Sequence, residues 1–379
     1  MPPSMATAQL TSSSVPRMSD PSNSSTNTVA GVTDLVLTKQ ILNVADRYIE
    51  VILYVSGVCG AFLNIFTFLQ KQLRTNSCSW YFLVGSLCDL LICNIFILTK
   101  ILSLYNPQSY GQFARTLFWC KFGNFSIFTF PCLSSLYITC ASIDRFCSSS
   151  RRAAWRKLSS IKVCRIVIPA IFVVWAIFSL HTVIAYDLRQ FNPNSTTISC
   201  TPDRSVYTFF VIIDGFFFAL LNGAIVPFFL AVFGTLIILH VRQSQKRAVV
   251  APAVARQTVD LGSLSATRTT NGNPARVISR ANHSLIIMLL FQVSLTIFLN
   301  LPYVVIYLNN LFRSTPATPF SAVLSYIATW FYYMNYCKTF YLNTMSSQLF
   351  RSILRQQVLY MFNRTRTQLT VAWSTSAHW

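Results

Sequence analysis

The chain has 379 residues, 53% of them hydrophobic and only 11% Asp, Glu, Lys or Arg, with a formal net charge of +20. A soluble domain carries about 25% charged residues, and here the charge is missing in blocks. Residues 51–70, 122–143, 166–186, 215–239, 284–312 and 314–337 hold none, and 75–99 hold only Asp89. Roughly 20 apolar residues cross a bilayer as a helix, so seven segments pass that test. This excludes a string of soluble domains and, despite the basic balance, a nucleic-acid binder, and it predicts an all-α membrane protein.

In chain order, residues 1–45 form an outer segment rich in Ser, Thr, Asn and Pro, without the basic-then-apolar layout of a signal peptide. Residues 40–70 then act as the first insertion signal. The predicted spans are 49–70, 78–102, 117–147, 162–186, 206–241, 282–309 and 319–342, a seven-helix bundle within residues 46–342. Loops are short except 187–205 and 242–281; the latter, rich in Ser, Thr, Arg and Gly, reads as a flexible inner loop. Beyond span 7 lies the tail, 343–379. There Phe350, Ile353, Leu354 and Met361 alternate with Arg351, Arg355 and Gln356, which predicts a short amphipathic helix on the inner membrane face.

The charges set the orientation. If the N-terminus is outside, the inner segments carry 20 of the 30 Lys and Arg but only two acids, Asp144 and Asp260, against seven acids outside. Excess Lys and Arg marks the cytoplasmic side, so the N-terminus is expected to face out and the basic surplus to face anionic lipid. Sequons at Asn23 and Asn194 then lie outside as glycosylation sites, whereas Asn124, Asn282 and Asn363 fall in a span or inside. Of eleven cysteines, only Cys120 and Cys200 reach the oxidising side, which leaves them each other as disulfide partners. The other nine read as small core residues, and no cysteine follows position 337 to be palmitoylated.

Polar side chains within the spans are functional suspects. They are Asn64, Asp89, Ser134, Asn300, Asn335, Lys338 and Thr339. Asn64 and Asn300 are readable as interhelical hydrogen bonds. Asp89 needs a cation, a proton or several donors. No metal-ligand spacing or nucleophile–base pair appears, and His181, His240, His283 and His378 are scattered, which argues against an enzyme.

Span 3 ends Ile143-Asp144-Arg145-Phe146, which resembles the Asp-Arg-Tyr motif of rhodopsin-like G-protein-coupled receptors, with Phe in the Tyr place. Cys120 precedes Arg145 by 25 residues, about 37 Å along a helix, as the family places its disulfide and its charged pair. Asn64, Asp89, Trp175, Pro227 and Pro302 match the family's landmarks in spans 1, 2, 4, 5 and 6. Asn335-Tyr336-Cys337 and Ser346-Ser347 with Phe350-Arg351 further resemble invertebrate peptide receptors of the FMRFamide-receptor-like kind. Three places depart from the pattern. The Asn-Pro-x-x-Tyr region reads Thr339-Phe340-Tyr341-Leu342-Asn343, span 6 reads Leu299-Asn300-Leu301-Pro302 without its Trp, and the inner end of span 6 offers no acid to Arg145.

The resemblance implies a plasma-membrane receptor that couples an outside ligand to a heterotrimeric G protein. Asp144, Arg145 and Phe146 would form the coupling switch, and Asn300 and Pro302 the hinge of span 6. A site at Asp89, Ser134, Asn335 and Thr339, with Asn64 among the polar residues of the same spans, would hold a sodium ion; this chain adds Lys338, which by i, i+3, i+4 spacing shares a helix face with Asn335 and Thr339 and is able to stand in for the ion. Ile127 stands where an amine receptor has its Asp, and Tyr333 where an opsin has its retinal-binding Lys, which disfavours both ligands. Ile127, Phe128, Phe209, Tyr303, Tyr307, Trp330 and Tyr333 are expected to line the ligand cavity and to suit a short peptide. A small-molecule chemosensory receptor is the nearest alternative, and a seven-span transporter or channel a more distant one.

Overall fold

The computed structural model describes residues 25–150, 152–190, 198–202, 220–239, 274–312 and 318–360, with Phe209, Gly215 and Asn363. Asn23, Asn194 and Met361 lie outside the described residues. Among the described residues, five helices are long and apolar enough to cross a membrane, within Thr33–Phe68, Ser77–Tyr105, Leu117–Ser149, Ile161–Ala185 and Ile286–Asn310. Span 5 is described from a π-helical turn at Leu220–Ile225 into an apolar helix over Val226–Leu239.

Two helix boundaries correct the sequence reading. The first helix begins at Ser25 rather than near 49, so part of the expected outer segment is helical. No proline occurs between Pro21 and Pro107, and apolar residues recur from Leu35 to Val44, so nothing stops the helix upstream of the membrane. Span 7 is two helices, Pro319–Cys337 and Thr339–Ser346, running past residue 342. At the break, the Lys338 ammonium donates to the Asn335 carbonyl at 2.7 Å. That is the carbonyl a regular helix offers to the Thr339 N–H.

The starts of the helices are written in short polar side chains. The Thr116 hydroxyl accepts from the Trp119 N–H and Ser160 from Val163, while Thr318 and Ser321 form a reciprocal capping box with Pro319 following. The bundle is inverted relative to a soluble protein. Ile166, Val174, Ile177 and Ile184 of span 4 face outward and are exposed, whereas Asn64, Asp89, Ser134, Asn300 and Asn335 are buried. An apolar exterior of this kind belongs in lipid.

Spans 1, 2 and 7 meet at Gly57. A Cβ there would stand 2.7 Å from both the Cys93 and Cys337 sulfurs, so the absence of a side chain is what lets the three helices meet. Downstream of span 7, the expected amphipathic helix runs over 348–360. Phe350 and Ile353 are buried, with the Phe350 ring 5.4 Å from Phe68 and 6.2 Å from Phe340. Arg351 donates to the Met345 carbonyl at 2.9 Å and so satisfies the end of the preceding helix.

Opposite that end, strands β1 (Tyr186–Gln190) and β2 (Ile198–Pro202) form an antiparallel hairpin before span 5. Cys200 of β2 is bonded to Cys120 at the top of span 3, with Cα atoms 5.5 Å apart. The Asn124 amide lies against both ends of the bridge, donating to the Cys120 carbonyl at 2.7 Å. Cys120→Ser and Cys200→Ser are each expected to reduce surface expression, with the double variant no worse than either single, because partners in one unit are non-additive. Flow cytometry of tagged receptor checks this; clearly additive losses would contradict it.

Candidate functional site

At the end of the bundle away from the disulfide, span 3 presents Asp144 and Arg145, both buried. The Arg145 guanidinium pairs with Asp144 at 3.0 Å. The Ser77 hydroxyl donates to the other Asp144 oxygen at 2.6 Å. Asn76 caps span 2 by accepting from the Cys78 N–H, and the same side-chain oxygen accepts from Arg145. The charged pair is therefore tied to the first turn of span 2. Phe146 points elsewhere, with its ring 5.6 Å from Phe233 of span 5 and 6.1 Å from Trp155. The side chains of 274–285 lie outside the described residues, so Arg145 is followed here only toward span 2.

Midway through the bundle, Asp89 accepts from two hydroxyls, Ser134 at 2.6 Å and Thr339 at 3.0 Å. The Gln292 amide reaches Thr339 at 3.4 Å. Lys338 is buried too, but it forms no direct ion pair with Asp89. Its ammonium instead holds the Asn335 carbonyl and the Asn335 side-chain oxygen. A substitute for sodium in direct contact with Asp89 is thus not what this arrangement contains; the lysine sits one residue away, occupying an oxygen that such an ion would use. Asn64 also stands apart from the Asp89 group. It accepts from the Asn343 amide at 3.2 Å, so an asparagine at the end of the altered span 7 motif ties that span to span 1.

Span 6 carries Asn300 two residues before Pro302. Asn300 is buried, and neither its amide nitrogen nor its oxygen has a partner. An unmet buried amide costs ~1–3 kcal/mol. Asn300→Leu is therefore expected to raise the unfolding temperature of the ligand-free protein, as read by a thiol-reactive dye in detergent; a lowered temperature would show that the amide is satisfied at rest.

The aromatic residues expected in one cavity divide into separate groups. Tyr303 stacks on Tyr332 with ring centres 4.2 Å apart and on Tyr307 at 6.2 Å, and Tyr333 lies 5.8 Å from Tyr332. Phe128 packs across spans 3 and 4 against His181 at 6.3 Å, and its carbonyl accepts from the Trp175 indole at 2.8 Å. Ile127 is half-buried and Phe209 is exposed. A cavity of about 370 Å³ opens between the ends of spans 6 and 7, lined by Ile306, Asn310, Ser321 and Leu324 among others, and none of the expected aromatics borders it.

Trp330 belongs to an ionic cluster that the sequence reading had not assembled. Its indole donates to Asp46 at 2.7 Å, and Asp46 and Glu50 of span 1 both meet Lys100 of span 2. In the sequence these three are charges near the ends of spans, with nothing to mark them as partners. Span 2 reaches Lys100 through a π-helical turn at Cys93–Ile97, a distortion common at functional sites. Asn76, Ser77 and Gln292 carry no sequence signal, being uncharged residues whose partners lie far along the chain.

A charged pair at the end of span 3 away from the disulfide, a hydroxyl-solvated carboxylate on span 2 and a disulfide to the hairpin before span 5 together make the arrangement of a membrane receptor. The chain matches the 7 transmembrane receptor (rhodopsin family) model over residues 60–338, and it belongs to that family. Its members are receptors, not enzymes. Among curated proteins, none matches the chain.

Proposed function

We propose that the chain is a plasma-membrane receptor, N-terminus outside, that binds a short peptide and activates a heterotrimeric G protein. The observation that carries this reading is the Asp144–Arg145 pair, buried at the end opposite the disulfide and held by Asn76 and Ser77 of span 2. A buried guanidinium bound by a few releasable contacts is a two-state element. Ligand shifts it only by binding the open state more tightly. Pro302, inside the helix Pro274–Phe312, supplies the bend about which the inner half of span 6 moves. The peptide reading is supported by Ile127 and Tyr333, which stand in the places that amine and retinal ligands require to be Asp and Lys.

A second-messenger screen against amidated peptides, in cells expressing the wild type or Arg145→Ala, tests this. A peptide response lost in the variant is expected. Responses confined to small odorant-like molecules would replace the peptide by a chemosensory ligand. Substrate flux without a second messenger would indicate a transporter.

A further inference from the structure

The outer ionic cluster has no part in the switch, and its charges do not balance. The Lys100 ammonium lies 3.1 Å from an Asp46 oxygen and 2.5 Å from a Glu50 oxygen. Two carboxylates share one ammonium, which leaves one formal negative charge. Both acids are shut off from solvent, Asp46 at 2% exposure and Glu50 at 0%. The second Glu50 oxygen, Oε2, is buried and accepts from no N–H or O–H donor among the described residues. An uncompensated carboxylate in a membrane bundle is costly.

A purely structural tie between spans 1, 2 and 7 does not need Glu50. Asp46 alone accepts from both Lys100 and Trp330, and the Tyr326 hydroxyl already ties span 7 to Asn43 at 2.6 Å. Glu50 adds a second acceptor for Lys100, and its other oxygen is met by no donor among the described residues. The walls are aromatic: the Lys100 ammonium sits 5.3 Å from the centre of the Tyr333 ring, and Trp330 stands beside Asp46. Such rings receive cations on their faces. Lys100 is 23% exposed, so the cluster meets solvent at the lysine side chain.

We propose that Glu50, with Asp46, Trp330 and Tyr333, forms a subsite for a positively charged group of the ligand, a guanidinium or a primary ammonium that donates to Glu50 Oε2. This deepens the receptor reading and rests on it for the identity of the outer face. The added cation brings the cluster to neutrality.

The test uses the purified full-length chain in lipid nanodiscs without a G protein, so its result is separate from whether the receptor couples. Unfolding temperature is measured with L-argininamide, L-lysinamide and uncharged L-citrullinamide at matched ionic strength. A cationic probe at ten times its Kd is expected to raise it by about 3 °C, with citrullinamide inert; the stronger of the two cations identifies guanidinium or ammonium. Glu50→Gln, which leaves the Lys100–Asp46 pair, is expected to remove the shift. Because the charge comparison is made on the wild type, it stands even if that variant misfolds. No shift with either cation, an equal shift with citrullinamide, or an undiminished shift in a folded Glu50→Gln would overturn the subsite.

Discussion

Arg145→Ala is expected to lower G-protein activation by roughly 100-fold, the loss of ~3 kcal/mol of contacts made only in the coupled state, while ligand affinity changes little. The separation follows from the geometry, because Arg145 stands 25 residues of helix away from Cys120. Asp144→Asn is expected to act in the opposite sense. At rest Asp144 neutralises a guanidinium that is 3% exposed, so removing its charge strands the arginine in the bundle. Each ~1.4 kcal/mol lost by the resting state raises the active fraction about tenfold, and ligand-independent signalling should rise accordingly. Radioligand binding beside a basal and stimulated second-messenger assay separates the two variants. Equal losses of binding and signalling in Arg145→Ala would point to misfolding instead.

Lys338→Met is expected to make agonist affinity sensitive to sodium where the wild type is not. In the wild type the Asn335 side chain is engaged by the Lys338 ammonium, and a fixed positive charge close to Asp89 opposes a second cation. Asp89 keeps two hydroxyl donors, Ser134 and Thr339. Removing the ammonium frees Asn335 and leaves Asp89 as an uncompensated carboxylate among oxygen ligands, a set suited to a hard cation. Asp89→Asn in the Lys338→Met background should abolish the new sensitivity. Agonist competition in sodium and in N-methylglucamine salts measures it; strong sodium dependence of the unmutated receptor would show that an ion enters despite Lys338.

Much of the architecture was legible because the bilayer imposes a coarse code. Blocks without charge mark crossings, and the family's landmarks fall within them from Asn64 to Pro302. What the sequence hid depends on direction and partner. Asn64 and Asp89 share an interior, yet the structure gives the first to Asn343 and the second to Ser134 and Thr339. Lys338 reads as a partner for Asp89 by helical spacing, but its own chain supplies nearer oxygens at Asn335, and that capture coincides with the break in span 7. Asp46, Glu50 and Lys100 were hidden for another reason. Near the ends of spans, charges read as solvated, and only the folded bundle shows Asp46 and Glu50 buried against Lys100 and Trp330. The aromatic cavity was expected from residue type alone, which does not say whether rings face a ligand or each other, as Tyr303 and Tyr332 do.

The most direct measurement is nucleotide exchange on purified heterotrimeric G proteins by the full-length chain reconstituted in nanodiscs, with Arg145→Ala in parallel. The account predicts exchange above the protein-free rate, raised further by Asp144→Asn and by an activating amidated peptide, and lowered roughly 100-fold in Arg145→Ala. Exchange by the Arg145→Ala variant equal to that of the wild type, or none from any form across the G-protein classes, would contradict it.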